Sequence, residues 1–264
     1  MMHLNTTTTL LLLIFILLLH SSNQLSYQSS LPAAGRQSPV TRVLDAPFSD
    51  QFPYTKQQLT PEWPDNDRAF YFLPKFVHHA SPGCRTQLTN FYSTILPPPS
   101  TGATLDLCSS FTSHYPPGYK ASKSVALGLN PLELLFNPSK TSFNVHDLNA
   151  EPTLPYPSST FDVCTLALSV DYLTSPLSVF TEIHRVLKPS GLACISFTNR
   201  CFPTKVVPIW TNPFTPENHA RIVGEYFHHS AEWEEVGVRD LSEEGWEGQK
   251  NPMVAVLARK KKDK

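Results

Sequence analysis

Polar side chains stand at the ends of three short apolar runs in the middle of the chain. Asp106 lies in the run Ala103–Cys108 (A-T-L-D-L-C). Asn130 ends the run Ser124–Asn130, and Asp147 follows a third, shorter run. Because the carboxyl ends of parallel strands meet along one edge of a sheet, these side chains are expected to border a common crevice. The sequence therefore predicts a ligand site at that edge.

Short apolar runs that alternate with helical segments predict parallel strands with crossover helices. The pattern is typical of an α/β fold: a Rossmann-like, doubly wound seven-stranded sheet, mostly parallel, with an antiparallel C-terminal hairpin at the sheet edge. The predicted strands are Ala103–Cys108, Ser124–Asn130, Ser142–Val145, Phe161–Ala167, Leu192–Thr198, Trp233–Leu241 and Met253–Lys260. The predicted helices are Thr86–Leu96, Pro131–Phe136, Leu177–Leu187 and Pro216–His229, with Pro189-Ser190-Gly191 ending the third of them.

Composition limits the possible partners. The chain has 264 residues and a formal net charge of −1, so its overall charge gives no indication of nucleic-acid binding. Its five cysteines lack C-x-x-C spacing, and three lie in or beside predicted strands, where a free cysteine acts as a small apolar residue. We therefore predict neither a disulfide framework nor a metal site.

The N-terminal residues are predicted to be a targeting leader. Leu10–Leu19 is an unbroken apolar run that reaches roughly 15 Å as a helix, about half of a bilayer core. No acidic residue occurs before Asp45, and Ser and Thr are abundant, as in transit peptides. Plastid targeting is the favoured prediction, with secretory entry or a short membrane anchor as alternatives. No stable membrane span is predicted for the mature protein.

Three regions are predicted: a leader (1–44), a linker with an N-terminal helical extension (45–100), and the α/β domain (101–264). In the extension, the segments Arg68–Val77 and Thr86–Leu96 carry apolar residues that need a partner. The favoured interpretation is an N-terminal helix that closes over the sheet, and the alternative is a substrate lid. His78-His79 and His228-His229 are adjacent pairs, whose side chains diverge on a helix or strand and do not chelate easily.

Two runs carry a resemblance to a known family. The first run is L-P-Y-P-S-S-T-F-D-V (Leu154–Val163). The second is E-I-H-R-V-L-K-P-S-G (Glu182–Gly191), which comes directly before a predicted apolar strand. In this order and separation they resemble the class I S-adenosylmethionine-dependent methyltransferases of the type 11 group, over about Ala103 to Arg259. The run D-L-C-S-S from Asp106 further resembles a plant and algal branch. The resemblance implies an enzyme that takes S-adenosylmethionine as cofactor.

The resemblance also implies cofactor-binding residues. The family pattern after the first strand is D-x-G-x-G-x-G, whose glycines let backbone N–H groups approach the cofactor. This chain keeps the acid as Asp106 but has Cys108, Ser110 and Thr112 at the glycine positions. A non-glycine residue at positive φ costs on the order of 1 kcal/mol. The hydroxyl groups of Ser109 and Ser110 are expected to replace part of the lost N–H cradle.

Four further residues complete the implied cofactor site. Asn130 matches the acid that holds the ribose hydroxyls in the family; its amide can both accept and donate hydrogen bonds. Asp147, followed by Leu148, matches the acceptor for the adenine amino group, and Ser169 is placed near the methyl group. The structural alternatives are a turn residue for Asp147 and a cap on the following loop for Asp106.

The methyl acceptor is expected to be a small molecule that the sequence does not identify. Methyl transfer depends mainly on alignment, and a base is needed only if the acceptor holds a proton in the transition state. Asp171 and Tyr172 are the candidate residues for handling the acceptor; the alternative is that Asp171 caps a helix and Tyr172 packs against it. Arg200 and Lys205 are interpreted as solvated surface residues, with an anionic acceptor as the alternative. A non-catalytic nucleoside-binding or regulatory protein on the same fold remains the alternative function, and the oligomeric state is not predicted.

Overall fold

A mixed β-sheet organises the described part of the chain. The computed structural model describes residues 42–44, 47–64, 67–244 and 250–262. The sheet has eight strands in the order β1-β7-β10-β6-β5-β2-β3-β4, and a separate two-stranded ribbon pairs β8 with β9. The strands are β1 Arg42–Val43, β2 Ala103–Leu107, β3 Lys123–Gly128, β4 Ser142–Val145, β5 Phe161–Ala167, β6 Leu187–Thr198, β7 Trp233–Asp240, β8 Glu243–Glu244, β9 Lys250–Asn251 and β10 Met253–Lys260.

The direction of the strands confirms the predicted fold class. Strands β2 to β6 are parallel to one another, whereas β10 pairs antiparallel with both β6 and β7. The antiparallel pair of β7 and β10 thus lies toward one edge of the sheet, as predicted. Within this pair β10 is the inner strand, between β7 and β6. The added eighth strand is β1, a two-residue strand antiparallel to β7, which sequence patterns do not indicate.

Helices cover both faces of this sheet. The α-helices are α1 Asp67–Phe70, α2 Pro82–Ile95, α3 Pro131–Phe136, α4 Pro176–Val186 and α5 Pro216–Ser230. Capping explains where two of them begin: the hydroxyl group of Ser81 accepts a hydrogen bond from the Cys84 N–H, and that of Thr215 accepts one from the Asn218 N–H. Helix α2 ends before the triple proline at 97–99, since proline disfavours the helical conformation in the residue before it.

Two apolar clusters pack on opposite faces of the sheet. Alternating residues of β10 show the division, with Val254 and Val256 in one cluster and Ala255 and Leu257 in the other. The first cluster packs the sheet against α4 and α5, and the second packs it against α2. Leu88 and Tyr92 of α2 are fully buried, which supports the interpretation of this segment as a helix closing over the sheet.

The turn predicted at Pro189–Gly191 takes a different form. Strand β6 begins at Leu187, directly after α4. Its pairing with β5 steps from Phe161–Leu187 to Val163–Leu192, so residues 188–191 bulge opposite Asp162. The Lys188 ammonium group lies 2.8 Å from the Asp162 carboxylate across this bulge. The predicted turn residues therefore form a bulge inside the strand and do not connect the helix to the strand.

The predicted leader lies outside the described residues except for Arg42–Leu44, so its boundary and destination stay predictions. Among the described residues, no helix combines the length and the apolar character needed to cross a bilayer.

Candidate functional site

A cavity of about 310 Å³ opens where the parallel strands end. It lies at the point where the strand order reverses, because β2 pairs with β3 on one side and with β5 on the other. Its volume falls at the lower end of the range for small-molecule sites. Its wall includes Tyr172 and every residue predicted to bind the cofactor, namely Asp106, Cys108, Ser109, Ser110, Asn130, Asp147, Leu148 and Ser169. The roles assigned to these residues stay predictions.

The loop after β2 keeps a left-handed residue at its start. Cys108, which stands at the first glycine position of the family pattern, has φ +50°. The loop then passes close to β3: the Ser109 N–H donates to the Leu127 carbonyl oxygen at 2.8 Å. A Cβ atom on Gly128 would lie 2.1 Å from the Ser109 carbonyl oxygen, so only glycine permits this approach. The loop therefore follows a glycine-type path at Cys108 and carries the associated strain.

Asp106 fixes this loop through a hydrogen bond to Ser109. Its carboxylate oxygens accept hydrogen bonds from the Ser109 hydroxyl at 2.6 Å and from the Thr165 hydroxyl at 2.8 Å. The side chain is buried, and the loss of solvation raises the pKa of Asp106 to about 6, although these hydroxyl groups oppose the shift. Its contacts match the alternative of a loop cap, and it also borders the cavity.

The hydroxyl groups that were expected to replace the glycine cradle have partners inside the protein. The Ser109 hydroxyl donates to Asp106, and the Ser110 hydroxyl donates to the Glu133 carboxylate at 2.5 Å. Asn137 ties the same loop to the end of α3 through its side-chain N–H groups, which donate to the Ser109 hydroxyl and the Ser110 carbonyl oxygen. The loop is thus fixed by side chains, whereas the family pattern relies on flexible glycines.

Asn130 uses both ends of its amide within the protein. The amide oxygen caps α3 by accepting hydrogen bonds from the N–H groups of Leu132 and Glu133. The amide nitrogen donates to the carbonyl oxygens of Tyr71 at 2.9 Å and Phe72 at 3.0 Å. Asn130 therefore joins α3 to residues 67–79, which we call the strap.

Asp147 closes the turn after β4. One carboxylate oxygen, Oδ1, accepts hydrogen bonds from the N–H groups of Asn149 and Ala150. The geometry is that of the turn alternative, but Asp147 also lines the cavity, and within the described chain no hydrogen bond involves its second oxygen, Oδ2. Leu148 beside it is buried and supplies an apolar part of the wall.

The two residues predicted to handle the acceptor both lie in the 3₁₀ turn Val170–Tyr172, but only one of them lines the cavity. Tyr172 lines the cavity, and its hydroxyl oxygen accepts a hydrogen bond from the Phe202 N–H at 2.9 Å. Asp171 is buried behind the wall and does not line the cavity, because the turn directs successive side chains apart. Burial raises the pKa of Asp171 to about 8. The Ser169 hydroxyl donates to the Ala167 carbonyl oxygen at 3.3 Å.

The strap supplies wall residues that the sequence analysis did not assign to the site. Tyr71, Lys75, His78 and His79 all line the cavity. The Lys75 ammonium group lies 4.4 Å from the centre of the Phe70 ring, within cation–π range. Partial desolvation lowers the pKa of both His78 and His79, which favours their neutral imidazoles at pH 7. The dense mixture of aromatic and basic residues in R-A-F-Y-F-L-P-K-F-V was the available signal.

The basic residues after β6 have different environments. Arg200 lines the cavity. Lys205 was interpreted as a solvated surface residue, but only 2% of its side chain is exposed, and its ammonium group lies 2.7 Å from the Asp67 carboxylate. The pairing with the strap explains the burial, since a buried ammonium group requires a charged partner.

Phe111 and Tyr115 leave the cavity open. Phe111 is part of the wall, whereas Tyr115 is buried in the cluster between α2 and the sheet, with its hydroxyl 2.9 Å from that of Thr165. The space, the acceptor atoms of Asp147 and the apolar wall at Leu148 fit a nucleoside cofactor of the predicted kind. Among the described residues, no group of His, Cys, Asp and Glu side chains is arranged to hold a metal ion.

Residues 124–195 match the type 11 methyltransferase family, described as a methyltransferase domain. The matched segment runs from β3 into β6 and includes Asn130, Asp147, Leu148 and Ser169 of the cavity wall. It confirms the resemblance drawn from the sequence and supports the predicted enzyme class and cofactor, an S-adenosylmethionine-dependent methyltransferase. A comparison with curated proteins finds no match. The plant and algal branch stays a prediction.

Solved structures with a similar arrangement share little sequence with this chain. The cyclase SpnF is 14% identical, with 74% of this chain and 92% of that one covered and a TM-score of 0.49. A SAM-dependent methyltransferase from Methanosarcina mazei is 14% identical, with coverage of 65% and 97% and a TM-score of 0.43. An S-adenosylmethionine-dependent methyltransferase from Mesorhizobium loti is 16% identical, with coverage of 64% and 95% and a TM-score of 0.42.

Proposed function

We propose that this protein, which carries a type 11 methyltransferase segment, binds S-adenosylmethionine in the cavity and transfers its methyl group to a small-molecule acceptor. The observation that carries the proposal is the position of the cavity. It lies at the carboxyl ends of the parallel strands where the strand order reverses, and part of its wall belongs to the matched segment.

The cofactor side of the cavity is assigned to the ends of β2 and β4. The loop from Cys108 to Thr112 is held rigid by Asp106, Glu133 and Asn137, so its backbone needs no reordering when a ligand binds. The Oδ2 atom of Asp147 is proposed to accept a hydrogen bond from the adenine amino group, while Oδ1 keeps the turn closed. The bound cofactor supplies a methyl group on a positively charged sulfonium.

The acceptor side is assigned to the strap and the segment after β6. Tyr172 and Phe202 offer aromatic surfaces there, with ring centres 6.0 Å apart. His79 lies beside Phe202, with ring centres 5.2 Å apart, and partial desolvation lowers its pKa, which favours the neutral imidazole. A neutral imidazole can accept a proton from an acceptor group during methyl transfer. We therefore assign positioning to the aromatic residues and proton acceptance to His79.

Calorimetric titration of the full-length protein with S-adenosylmethionine tests the cofactor assignment. Asp147→Ala is expected to weaken binding at least several-fold, because it removes the proposed adenine contact. Asp147→Asn is the matched control for the turn, since its amide oxygen can still accept the Asn149 and Ala150 N–H groups. In Asp147→Asn an amide nitrogen, which is a donor, takes the place of the acceptor atom Oδ2. This variant should therefore bind S-adenosylmethionine as weakly as Asp147→Ala does.

Recovery of affinity in Asp147→Asn would show that the residue acts only through the turn. Wild-type affinity in both variants would remove the adenine assignment. Absence of binding heat with the wild-type protein would overturn the proposed function and favour a non-catalytic protein on this fold.

A further inference from the structure

Exposed apolar side chains are concentrated on one part of the surface. We call this the apolar patch; its members lie on the strap, α3 and β4. Phe72 and Leu73 are 77% and 71% exposed, values unusual for residues of this size. Elsewhere in the described residues, Trp63 is the single other large apolar side chain with comparable exposure. The patch consists of Phe72, Leu73, Phe76, Val77, Leu132, Leu135, Phe136 and Val145.

The strap is fixed by its polar groups and leaves these apolar groups in solvent. Asn130 binds the backbone carbonyl groups of Tyr71 and Phe72, and the Lys75 N–H donates to Glu133 at 2.5 Å. The Asp67 carboxylate pairs with buried Lys205. Ordinary packing places apolar groups inside and polar groups outside, so this arrangement is reversed. A reversed arrangement that is held by several specific contacts indicates a surface built to meet an apolar partner.

The apolar patch continues to the rim of the cavity. The Phe76 ring lies 5.9 Å from the ring of Phe136 on α3 and 5.7 Å from that of Phe111, which lines the cavity. Val77 belongs both to the apolar patch and to the cavity wall. A partner that covers the patch therefore also covers the mouth of the site.

We propose that the apolar patch docks the protein on the surface of a lipid bilayer. The patch offers Phe, Leu and Val side chains, which insert into the boundary between headgroups and acyl chains. The sequence itself carries a second apolar element, Leu10–Leu19, whose length matches half of a bilayer core. The docking proposal takes the short-anchor alternative for this run, in place of the targeting leader that the sequence analysis favoured. Stable anchoring to a membrane generally takes two weak signals acting together, and these two elements supply them.

The connecting chain is long enough for both elements to reach one bilayer. Residues between Leu19 and Arg42 extend to roughly 75 Å at most. The sheet between β1 and β4 is about 35 Å wide at the usual spacing of its strands. The apolar run and the patch can therefore contact the same membrane face although β1 and β4 are at opposite edges of the sheet.

Docking in this way would open the cavity at the membrane interface. A lipid-soluble acceptor would then reach the site without crossing water, a consequence that rests on the proposed function. The docking itself does not depend on methyl transfer, so vesicle binding and cofactor binding test the two proposals separately.

Sedimentation with vesicles of phosphatidylcholine, with and without phosphatidylglycerol, tests the docking. The full-length chain is used in a Leu13→Glu/Phe15→Glu background, which disrupts the apolar run and isolates the contribution of the patch. This protein should still partition onto vesicles, but reversibly and more weakly than the wild type, because one of the two signals remains. Addition of Phe72→Glu/Leu73→Glu should lower the partition coefficient by about tenfold or more, because both side chains lose their apolar contact with lipid.

The matched control is Asn212→Glu/Asn218→Glu, which places two charges at exposed positions near the start of α5 and should leave partitioning unchanged. Calorimetric titration with S-adenosylmethionine and circular dichroism check that each variant is folded. Equal partitioning of the patch and control variants would overturn the proposal, as would failure of the parent protein to bind vesicles. A change from dimer to monomer caused by the patch substitutions, without vesicle binding, would instead identify the patch as a contact between copies of the chain and would also overturn it.

Discussion

Asn130 shows how one side chain can depart from a family pattern for a structural reason. An acid at this position could cap α3 as well as asparagine does, because both offer an acceptor oxygen. It could not donate to the carbonyl oxygens of Tyr71 and Phe72, which Asn130 reaches at 2.9 and 3.0 Å. Only an amide satisfies the helix and the strap at the same time. The residue type is therefore explained by the strap.

Asn130→Asp is expected to lower the free energy of unfolding by about 1–3 kcal/mol, since two carbonyl groups of the strap lose their donor and face a carboxylate. Urea denaturation at neutral pH measures this. Asn130→Ser retains a capping oxygen without the charge and should cost less. An Asn130→Asp protein as stable as the wild type, with tighter cofactor binding, would show instead that the position serves the ribose.

At the scale of elements, the strap gains its position from polar contacts with residues far away in sequence. Its partners Asn130, Glu133, Asn149 and Lys205 lie on α3, after β4 and after β6. The strap has little buried apolar surface of its own. Its order should therefore depend on these contacts, above all on the buried pair between Asp67 and Lys205.

Lys205→Met is expected to increase amide hydrogen exchange at Tyr71, Phe72 and Lys75 by at least about tenfold, because the unpaired Asp67 carboxylate must move toward water. Exchange in β5 and β10 should change little. Lys188→Met is the matched control: it removes the same side chain from a more exposed pair, with Asp162, which does not contact the strap in the described part of the chain and should leave strap exchange unchanged. Equal exchange in the two variants would contradict the anchoring role of Lys205.

The contrast between strap and sheet explains which features the sequence could predict. Strands β4, β5 and β10 have the predicted bounds, because short apolar runs between turn residues indicate buried strands directly. Cavity residues at strand ends followed from the same pattern. The strap did not, because its position depends on partners 58 or more residues away, such as Glu133 and Asn130. The burial of Lys205 was not predicted, for the same reason. A lysine is usually exposed to solvent, and the carboxylate that allows this one to be buried belongs to Asp67 on the strap.

Across the whole molecule, several buried titratable groups connect folding to pH. Burial raises the pKa of Asp171 to about 8 and that of Asp106 to about 6, from an ordinary value of 3.8. It lowers the pKa of His114 to about 4. Below pH 6.5 these groups change the free energy of unfolding in opposite directions. As the pH falls, the two carboxyl groups stabilise the folded state, because they take up protons there first. The histidine destabilises the folded state, because it takes up its proton first in the unfolded chain. Between pH 6.5 and 8, Asp171 dominates.

Stability is therefore expected to fall as the pH rises from 6.5 to 8. The folded state keeps a proton on Asp171 that the unfolded chain has already lost, so the folded state binds more protons in this range. The expected loss is roughly 1–2 kcal/mol in the free energy of unfolding. Urea denaturation at several pH values measures it, and Asp171→Asn should flatten the decline. An unchanged slope in Asp171→Asn, or the same flattening in the exposed-site variant Asp50→Asn, would contradict the assignment.

Insertion of β10 between β6 and β7 has a consequence for biosynthesis. Both neighbours of β10 are made earlier on the ribosome, yet neither can complete its hydrogen bonds until residues 253–260 have left the exit tunnel. The nascent chain therefore displays two open strand edges until β10 emerges. Closure of the sheet must follow release of β10, so a chain truncated before this strand is expected to be captured by chaperones or to aggregate.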